Sequence, residues 1–285
     1  MNLLIATRPK QWVKNLLVFC VPLSAGLILE SSVAFRTIIS FLCFCFISSA
    51  TYLVNDIFDM EADLSHPIKK NRPIAAGKVS KYQGYLLSII LVFGGLGISA
   101  LLLNLKHTLL MISYLLIQAY YTSKLKKIFL FDIFTISAGF IIRALAGGFS
   151  TNIHISDWFL LVTASASIYV VSGKRYSEKI TFKLAPNARK NLNLYSENYL
   201  RNLWSVSLST SIMFYALWAV DLNRNIVSKF TLLSILPFSI IFFLYAKHID
   251  SGEAESPEEV IMNDKAIIFM SFVWITLFSL GLIAK

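Results

Sequence analysis

The sequence predicts an all-α integral membrane protein with nine transmembrane helices, the N-terminus inside and the C-terminus outside. The chain of 285 residues is 56% hydrophobic and only 15% charged, whereas soluble domains are about 45–50% apolar and about 25% charged. Its apolar residues form nine runs of roughly bilayer length, and its basic residues lie mainly in the loops between them. These observations argue against a soluble enzyme, a disordered regulator and a nucleic-acid-binding domain, although the net charge is +10.

Each predicted span is an apolar segment close to the length of about 20 residues that a bilayer core requires. In chain order the segments are Val13–Leu29, Phe35–Val54, Tyr82–Leu103, Thr108–Thr122, Phe129–Phe149, Ile155–Ser172, Leu203–Val220, Phe230–Ala246 and Ala266–Ala284. The fourth and the sixth are shorter than ideal, so we expect them to be tilted differently or to extend into the loops. The runs are too long for barrel strands and lack the alternation that such strands show.

The distribution of lysine and arginine predicts the orientation of these helices. With the N-terminus inside, twenty Lys and Arg residues fall on the inner side and five on the outer side, and Arg143 lies within a span. The inner loops are longer and carry most of the acidic residues. We therefore expect the N-terminus in the cytoplasm and any chemistry on the cytoplasmic side.

Three aspartates at the end of the second span form the strongest candidate site. If the helix continues through them, Asp56, Asp59 and Asp63 fall within about 60° of one another on one face. Carboxylates stacked in this way repel one another, and a bound cation relieves the repulsion. Hard oxygen ligands at a helix end suit Mg²⁺ bridging to a diphosphate. The alternative is a solvated acidic helix end, which Asn55 at the membrane boundary makes less attractive.

A basic segment follows the acidic one and runs from His66 to Gly77. It supplies Lys69, Lys70 and Arg72, and cations beside an acidic cluster suit an anionic substrate. A basic run of this kind is also typical of a positive-inside anchor.

Two ionisable residues mark the fifth span as functional. Asp132 and Arg143 are 11 positions apart, so they lie within about 20° on one helix face and roughly 16 Å apart along the axis. Small or polar residues share that face, which predicts that it lines a cavity. An ionisable residue this deep in a span indicates a functional site by default, although Arg143 could instead form a structural salt bridge, and Asp132 could merely orient Lys124 or Lys126.

The acidic motif, read as Asn55-Asp56-x-x-Asp59-x-x-x-Asp63, resembles the first Asp-rich motif of the UbiA superfamily of intramembrane prenyltransferases. The resemblance covers essentially the whole chain. It implies a single UbiA-like transmembrane domain over residues 1–285, with a central cavity open to the cytoplasmic side. Ordinary members carry a second Asp-rich motif after the sixth helix. Here the corresponding segment from Ser172 to Lys179 holds one acid and several bases.

A narrower branch of the superfamily, the decaprenyl-phosphate phosphoribosyltransferase family, is similar in further motifs. These are Arg8-Pro9-Lys10-Gln11-Trp12-Val13-Lys14-Asn15, Tyr121-x-x-Lys124-x-Lys126 followed by Asp132, Lys174-Arg175-Tyr176-x-Glu178, and Tyr195-Ser-Glu-Asn-Tyr-Leu. The resemblance implies transfer of a 5-phosphoribosyl group from 5-phosphoribosyl 1-diphosphate to a polyprenyl phosphate. It further implies Mg²⁺ as cofactor, a bacterial inner membrane as location, membrane lipids around the chain, no nucleic acid as partner, and a family in which copies can associate into homo-oligomers.

The resemblance and the residue chemistry together give a set of expected site residues. Catalysis and metal binding are assigned to Asp56, Asp59 and Asp63. Donor binding is assigned to Asn55, Arg72, Tyr121, Lys124, Lys126, Arg143, Lys174 and Arg175. Lys14 and Asn15 are assigned to the acceptor phosphate, with Asp132, Tyr176 and Glu178 in support. Two alternatives stay open, namely a UbiA-type prenyltransferase acting on an aromatic or lipid acceptor, and a transporter of an organic anion or lipid, which would need access from both sides to a site at the midplane.

Overall fold

The computed structural model describes residues 1–65, 69–181, 190–225 and 229–283, and within these ranges all regular secondary structure is helical. Two residues mentioned above, His66 and Ala284, lie outside them. The α-helices are α1 (Asn2–Ala6), α2 (Cys20–Ser24), α3 (Ser31–Phe58), α4 (Met60–Leu64), α5 (Lys81–Leu102), α6 (Leu105–Ser123), α7 (Phe131–Thr151), α8 (Asp157–Thr181), α9 (Glu197–Asn225), α10 (Lys229–Leu233), α11 (Ile235–Asp250), α12 (Pro257–Asn263) and α13 (Lys265–Ile283). The all-α class is therefore confirmed.

Six helical segments in the described ranges are long and apolar enough to cross a membrane. They are Ser31–Phe58, Lys81–Leu102, Phe131–Thr151, Glu197–Leu222, Lys229–Asp250 and Lys265–Ile283. The protein is therefore a multi-pass membrane protein. They correspond to six of the nine predicted spans. The fourth and sixth predicted spans do form long helices, α6 and α8, but these carry more polar and charged residues.

The first predicted span differs most from a regular transmembrane helix. Residues Pro9–Phe19 form a 3₁₀ helix, and the short α2 follows directly. Arg8, just before Pro9, has a left-handed backbone with φ of 56°, and proline cannot donate a backbone hydrogen bond. The hydropathy of this segment therefore does not predict where it begins, because its start depends on the backbone conformation of Arg8 and Pro9.

The chain forms two compact units. The first comprises Met1–Leu23, Leu27–Ile128 and Ile142–Ile153, and the second Ser24–Gly26, Phe129–Ile141 and His154–Lys285. In the first unit α3 packs against α5, α6 and the 3₁₀ helix. Its core includes the fully buried side chains of Phe44, Ile47 and Met111. A buried polar contact adds to it, because His107 lies within hydrogen-bond distance of Ser40 and Ser99, at 2.7 and 2.8 Å.

A smaller core lies under the acidic motif of the first unit. It consists of Ala6, Leu53, Ile57, Ile74 and Val79, all buried. These residues come from the N-terminal segment, the end of α3 and the loop before α5. Three stretches that are distant in sequence are therefore fixed against one another by apolar contacts.

The second unit is built around α8 and α9, with α11 packed against both and α13 against α11. Its core is rich in aromatic side chains, including Tyr169, Tyr176 and Trp204. Close helix contact depends on Gly173, because a Cβ atom there would lie 2.3 Å from Cδ1 of Ile249. Glycine at this position lets α8 approach α11.

Candidate active site

The acidic motif lies where α3 ends, and its helix is interrupted there. α3 ends at Phe58 and α4 begins at Met60, with Asp59 between them at φ −93° and ψ 4°. The continuous helical face assumed from the spacing is therefore broken at Asp59. Helical hydrogen bonds still run from Asp59 N to Asn55 O and from Asp63 N to Asp59 O, at 2.9 and 2.8 Å. The aspartates thus keep their approximate helical spacing.

Two buried aspartates share one arginine. Asp56 and Asp63 are 2% and 5% exposed. Nη1 of Arg72 donates to Oδ2 of Asp63 at 2.5 Å and to Oδ1 of Asp56 at 3.2 Å. The two carboxylates therefore accept hydrogen bonds from the same nitrogen of one positively charged guanidinium group.

A second arginine binds Asp56 from the N-terminal segment. Nε of Arg8 donates to Oδ2 of Asp56 at 3.1 Å, and Nη2 donates to Oδ1. The guanidinium also lies 5.5 Å from the ring centroid of Tyr52. This paired contact fixes the orientation of the Asp56 carboxylate.

Charge balance in this cluster affects Arg72 directly. Burial lowers the pKa of Arg72, and the neighbouring charge of Arg8 lowers it further, whereas the carboxylates of Asp56 and Asp63 oppose the change. Arginine is nevertheless always protonated in proteins. The cluster therefore alternates cation and anion from Arg8 through Asp56 and Arg72 to Asp63.

Asp59 has a different set of partners. Nζ of Lys126 donates to its Oδ1 at 2.5 Å, and Nδ2 of Asn55 donates to its Oδ2 at 3.0 Å. Its side chain is 24% exposed. The structure thus brings two predicted donor ligands from outside the acidic motif, Arg72 and Lys126, into contact with its aspartates.

Arg143 belongs to a buried network in the first unit. Its Nε donates to Oδ1 of Asn15 and its Nη2 to the hydroxyl of Tyr114, both at 2.8 Å. Asn15 is completely buried and donates in turn to Ser48 at 3.1 Å. Ligand binding by Asn15, as the sequence predicts, would require these hydrogen bonds to break.

A second charged cluster lies within the second unit. Nε of Arg175 donates to Oδ2 of Asp132 at 3.0 Å, and its Nη1 donates to Oε2 of Glu178 at 2.6 Å. All three residues are at most 5% exposed. The hydroxyl of Tyr195 donates to Oδ1 of Asp132 and accepts from the backbone N of Leu130 at 2.7 Å. Burial and the contact with Asp132 raise the pKa of Tyr195, so its hydroxyl stays protonated and can donate.

Replacing Tyr195 with Phe should destabilise the second unit. The change leaves the N–H of Leu130 and one oxygen of Asp132 without the hydroxyl, which costs about 1–3 kcal/mol. We expect a lower thermal unfolding midpoint of the purified protein. Tyr199→Phe is the matched control, because the Tyr199 ring packs against Phe129 and Tyr195 in the same cluster. Equal midpoints for the two variants would contradict the assigned role of the Tyr195 hydroxyl.

The remaining predicted residues are spread over both units. In the first unit Tyr121 is partly buried, Lys124 is exposed with Nζ 5.9 Å from the Tyr120 ring centroid, and Nζ of Lys14 donates to Gln11 at 2.5 Å. In the second unit Lys174 is partly buried, and the buried Tyr176 accepts from Arg201 Nη2 at 2.6 Å. These contacts of Lys14, Lys124 and Tyr176 lie outside the two charged clusters described above.

Comparison with known proteins assigns the chain to a family. Residues 18–273, which is most of the chain, match the UbiA prenyltransferase family. The chain belongs to the UbiA prenyltransferase family. The predicted superfamily is therefore confirmed, and the protein is an enzyme of the transferase class.

Relatives within the UbiA family are informative about the branch. A decaprenyl-phosphate phosphoribosyltransferase from Corynebacterium glutamicum is 38% identical over 276 residues, which cover 95% of this chain and 83% of that protein. One from Mycolicibacterium smegmatis is also 38% identical, over 96% of this chain and 90% of that protein. A UbiA homologue from Archaeoglobus fulgidus, solved with DMAPP and Mg²⁺, superposes over the full length of both chains with a TM-score of 0.74 at 15% identity. The UbiA-type fold is thereby confirmed.

The acidic motif of this UbiA protein has the donor chemistry that a divalent cation requires. Its three carboxylates supply hard oxygen ligands, which suit Mg²⁺. In the described ranges no three His, Cys, Asp or Glu side chains are grouped as a ready-made metal site. Instead, arginine and lysine neutralise the aspartates, and Arg72 lies at the point shared by Asp56 and Asp63. The three aspartates fit a divalent cation if the side chains of Arg72 and Lys126 move away from the carboxylates when it binds.

Arg8 is the main residue of this cluster that has no predicted role among the site residues expected from the sequence. The signal in the sequence is the place of Arg8 at the start of the motif that resembles the phosphoribosyltransferase family. Its left-handed backbone is a conformation that costs energy for a residue other than glycine and is often found at functional sites.

Proposed function

We propose that this UbiA-family enzyme transfers a 5-phosphoribosyl group from 5-phosphoribosyl 1-diphosphate to a polyprenyl phosphate of the decaprenyl type. The products are diphosphate and polyprenyl-phosphoryl-β-ribose 5-phosphate. The observation that carries the proposal is the 38% identity to decaprenyl-phosphate phosphoribosyltransferases over 95% of the chain.

The charges of the site support this substrate pair. The donor bears a diphosphate and a separate 5-phosphate, and the acceptor bears a third phosphate. A second acidic motif would repel these groups, whereas the sequence after the sixth span offers Lys174 and Arg175. Their roles as donor ligands stay a prediction, and Arg175 would have to act while paired with Asp132 and Glu178.

The proposed reaction is a substitution at the anomeric carbon of the ribose. The bond from C1 to the diphosphate oxygen breaks, and a bond from C1 to an oxygen of the lipid phosphate forms on the opposite face, with inversion from α to β. A phosphate monoester is already anionic near neutral pH, so no strong general base is needed. Basic side chains would hold both substrates in line, and alignment alone can supply much of the acceleration.

Asp56, Asp59 and Asp63 are the proposed ligands of a divalent cation, with Mg²⁺ as the physiological ion. When bound, such an ion neutralises the charge that develops on the leaving diphosphate. Asn55 and Arg8 orient the carboxylates, and Arg72 and Lys126 would bind phosphate oxygens. These assignments follow from the contacts of the first unit alone.

The proposal includes the topology expected from the sequence. We propose nine transmembrane segments in a single UbiA-like domain, an N-terminus in the cytoplasm and an active site open to the cytoplasmic side of a bacterial inner membrane. The distribution of basic residues supports this orientation. Cysteine labelling from either side of the membrane tests it.

A direct assay tests the proposed donor. Purified protein is incubated with Mg²⁺, labelled phosphoribosyl diphosphate and polyprenyl phosphates of several lengths. We expect label in the lipid fraction and release of one diphosphate per product. The control offers a prenyl diphosphate with aromatic and lipid acceptors. Consumption of the prenyl diphosphate alone would favour an ordinary UbiA prenyltransferase, and transport without diphosphate release would favour a carrier.

A further inference from the structure

The guanidinium of Arg72 lies between the carboxylates of Asp56 and Asp63, where both of them attract a cation. Its Nη1 atom contacts both carboxylates, and both carboxylates are almost fully buried. Two buried negative charges this close repel each other strongly, because the surrounding dielectric constant is low. The guanidinium therefore does locally what a metal ion would do.

We propose that Arg72 is a positioning residue that holds Asp56 and Asp63 together before the divalent cation binds and then leaves them to the cation. The inference rests on the proposed metal site, and it goes beyond the assignment of Arg72 as a donor ligand. Arg72 acts first through the two aspartates and only afterwards on a phosphate.

Competition between Arg72 and a metal ion follows from the shared oxygen atoms. A divalent cation held by Asp56 and Asp63 together would compete with Nη1 of Arg72 for the space between the two carboxylates and for the oxygens that face it. Two positive charges cannot share that position without strong repulsion. Arrival of the cation therefore has to displace the guanidinium.

The side chain of Arg72 is partly exposed to solvent, whereas Asp56 has a second arginine as a partner. The Arg72 side chain is 22% exposed, and it lies at the end of the short helical turn Lys69–Asn71. Asp56, in contrast, remains bound through both oxygens to Arg8. Displacement therefore moves the arginine and leaves the carboxylate in place.

A displaced Arg72 gains a new partner when the cation arrives with a diphosphate. Guanidinium groups bind phosphate oxygens in the same bidentate manner as carboxylates. Exchange of one anionic partner for another keeps the charge of Arg72 neutralised throughout. Binding of the metal ion and of the donor should therefore be mutually favourable.

The experiment measures Mn²⁺ binding to the full-length metal-free protein in detergent by electron paramagnetic resonance, without either substrate. Arg72→Met should lower the Kd for Mn²⁺ by about tenfold, since the competing charge is gone. The same variant should unfold at a lower temperature without metal and gain more from added Mn²⁺. Lys70→Met removes an equal charge from an exposed neighbour on the same turn, and its Kd should match that of the parent protein.

Further variants separate this inference from the proposed function. Arg72→Lys, which keeps the charge but cannot offer the same fork of donors, should show a Kd between those of the parent and Arg72→Met, and it covers the case in which Arg72→Met does not fold. An unchanged or higher Kd in both Arg72 variants overturns the inference. If Asp63→Asn leaves Mn²⁺ binding intact, the metal site itself is wrong. If Asp63→Asn abolishes binding while the Arg72 variants behave like the parent, only the inference fails.

Discussion

Replacement of Asp59 with Asn is expected to lower kcat by about 10³-fold, the scale at which loss of one charge-stabilising group acts in an active site. Asn keeps the size of the side chain and one oxygen, but it lacks the negative charge that a divalent cation needs. The expected reading is loss of Mg²⁺-dependent release of diphosphate in the transferase assay. The partly exposed Asp59–Lys126 pair contributes little to stability, so the unfolding midpoint should stay close to that of the parent.

The matched control for Asp59→Asn is Glu61→Gln. Glu61 lies two positions further along and is exposed, so the substitution makes the same change of charge outside the cluster. Its kcat should equal that of the parent. Full activity of Asp59→Asn, or an equal loss in both variants, would remove Asp59 from the proposed metal site.

Gly147→Ala is expected to have the largest effect on stability, of about 3 kcal/mol, at the upper end of what overpacking typically costs. A Cβ atom at Gly147 would lie 2.0 Å from the carbonyl oxygen of Val18. A backbone atom cannot rotate away, so α7 and the 3₁₀ helix would have to separate. The hydrogen bond from Arg143 to Asn15 depends on the same close approach and should weaken with it.

The thermal unfolding midpoint in detergent is measured for the Gly147→Ala protein and, as a control, for the Gly97→Ala protein. A Cβ atom at Gly97 in α5 would meet nothing within 4 Å, and alanine favours helix over glycine. Gly97→Ala should therefore leave the midpoint unchanged or raise it. A Gly147→Ala protein as stable as the Gly97→Ala protein would mean that the close approach of α7 is not required.

Prediction from sequence succeeded where apolar runs are long and unbroken. Helices such as α5 and α13 are apolar on all sides, so length and hydropathy predict them almost completely. The same reasoning failed at Pro9–Phe19, because hydropathy carries no information on backbone geometry. It did predict helices at α6 and α8, but the predicted spans Thr108–Thr122 and Ile155–Ser172 end before the helices do, because polar residues lower the hydropathy there.

The acidic motif was predictable because its spacing is local, but its partners were not. Asp56, Asp59 and Asp63 lie within eight positions, and helical geometry relates them directly. The contact of Arg8 with Asp56 spans 48 positions and that of Arg143 with Asn15 spans 128. Contacts of this kind are set by tertiary packing, which no local pattern in one sequence encodes.

The small core of Ala6, Leu53, Ile57, Ile74 and Val79 has a practical consequence for handling this protein. Ala6 packs in this core two residues before Arg8, which binds Asp56. Packing of the N-terminal segment therefore helps to position Arg8 at the acidic motif. Removal of Ala6 together with the residues before it would take this apolar contact away. Preparations intended for activity measurements should therefore retain the stretch from Ala6 to Arg8.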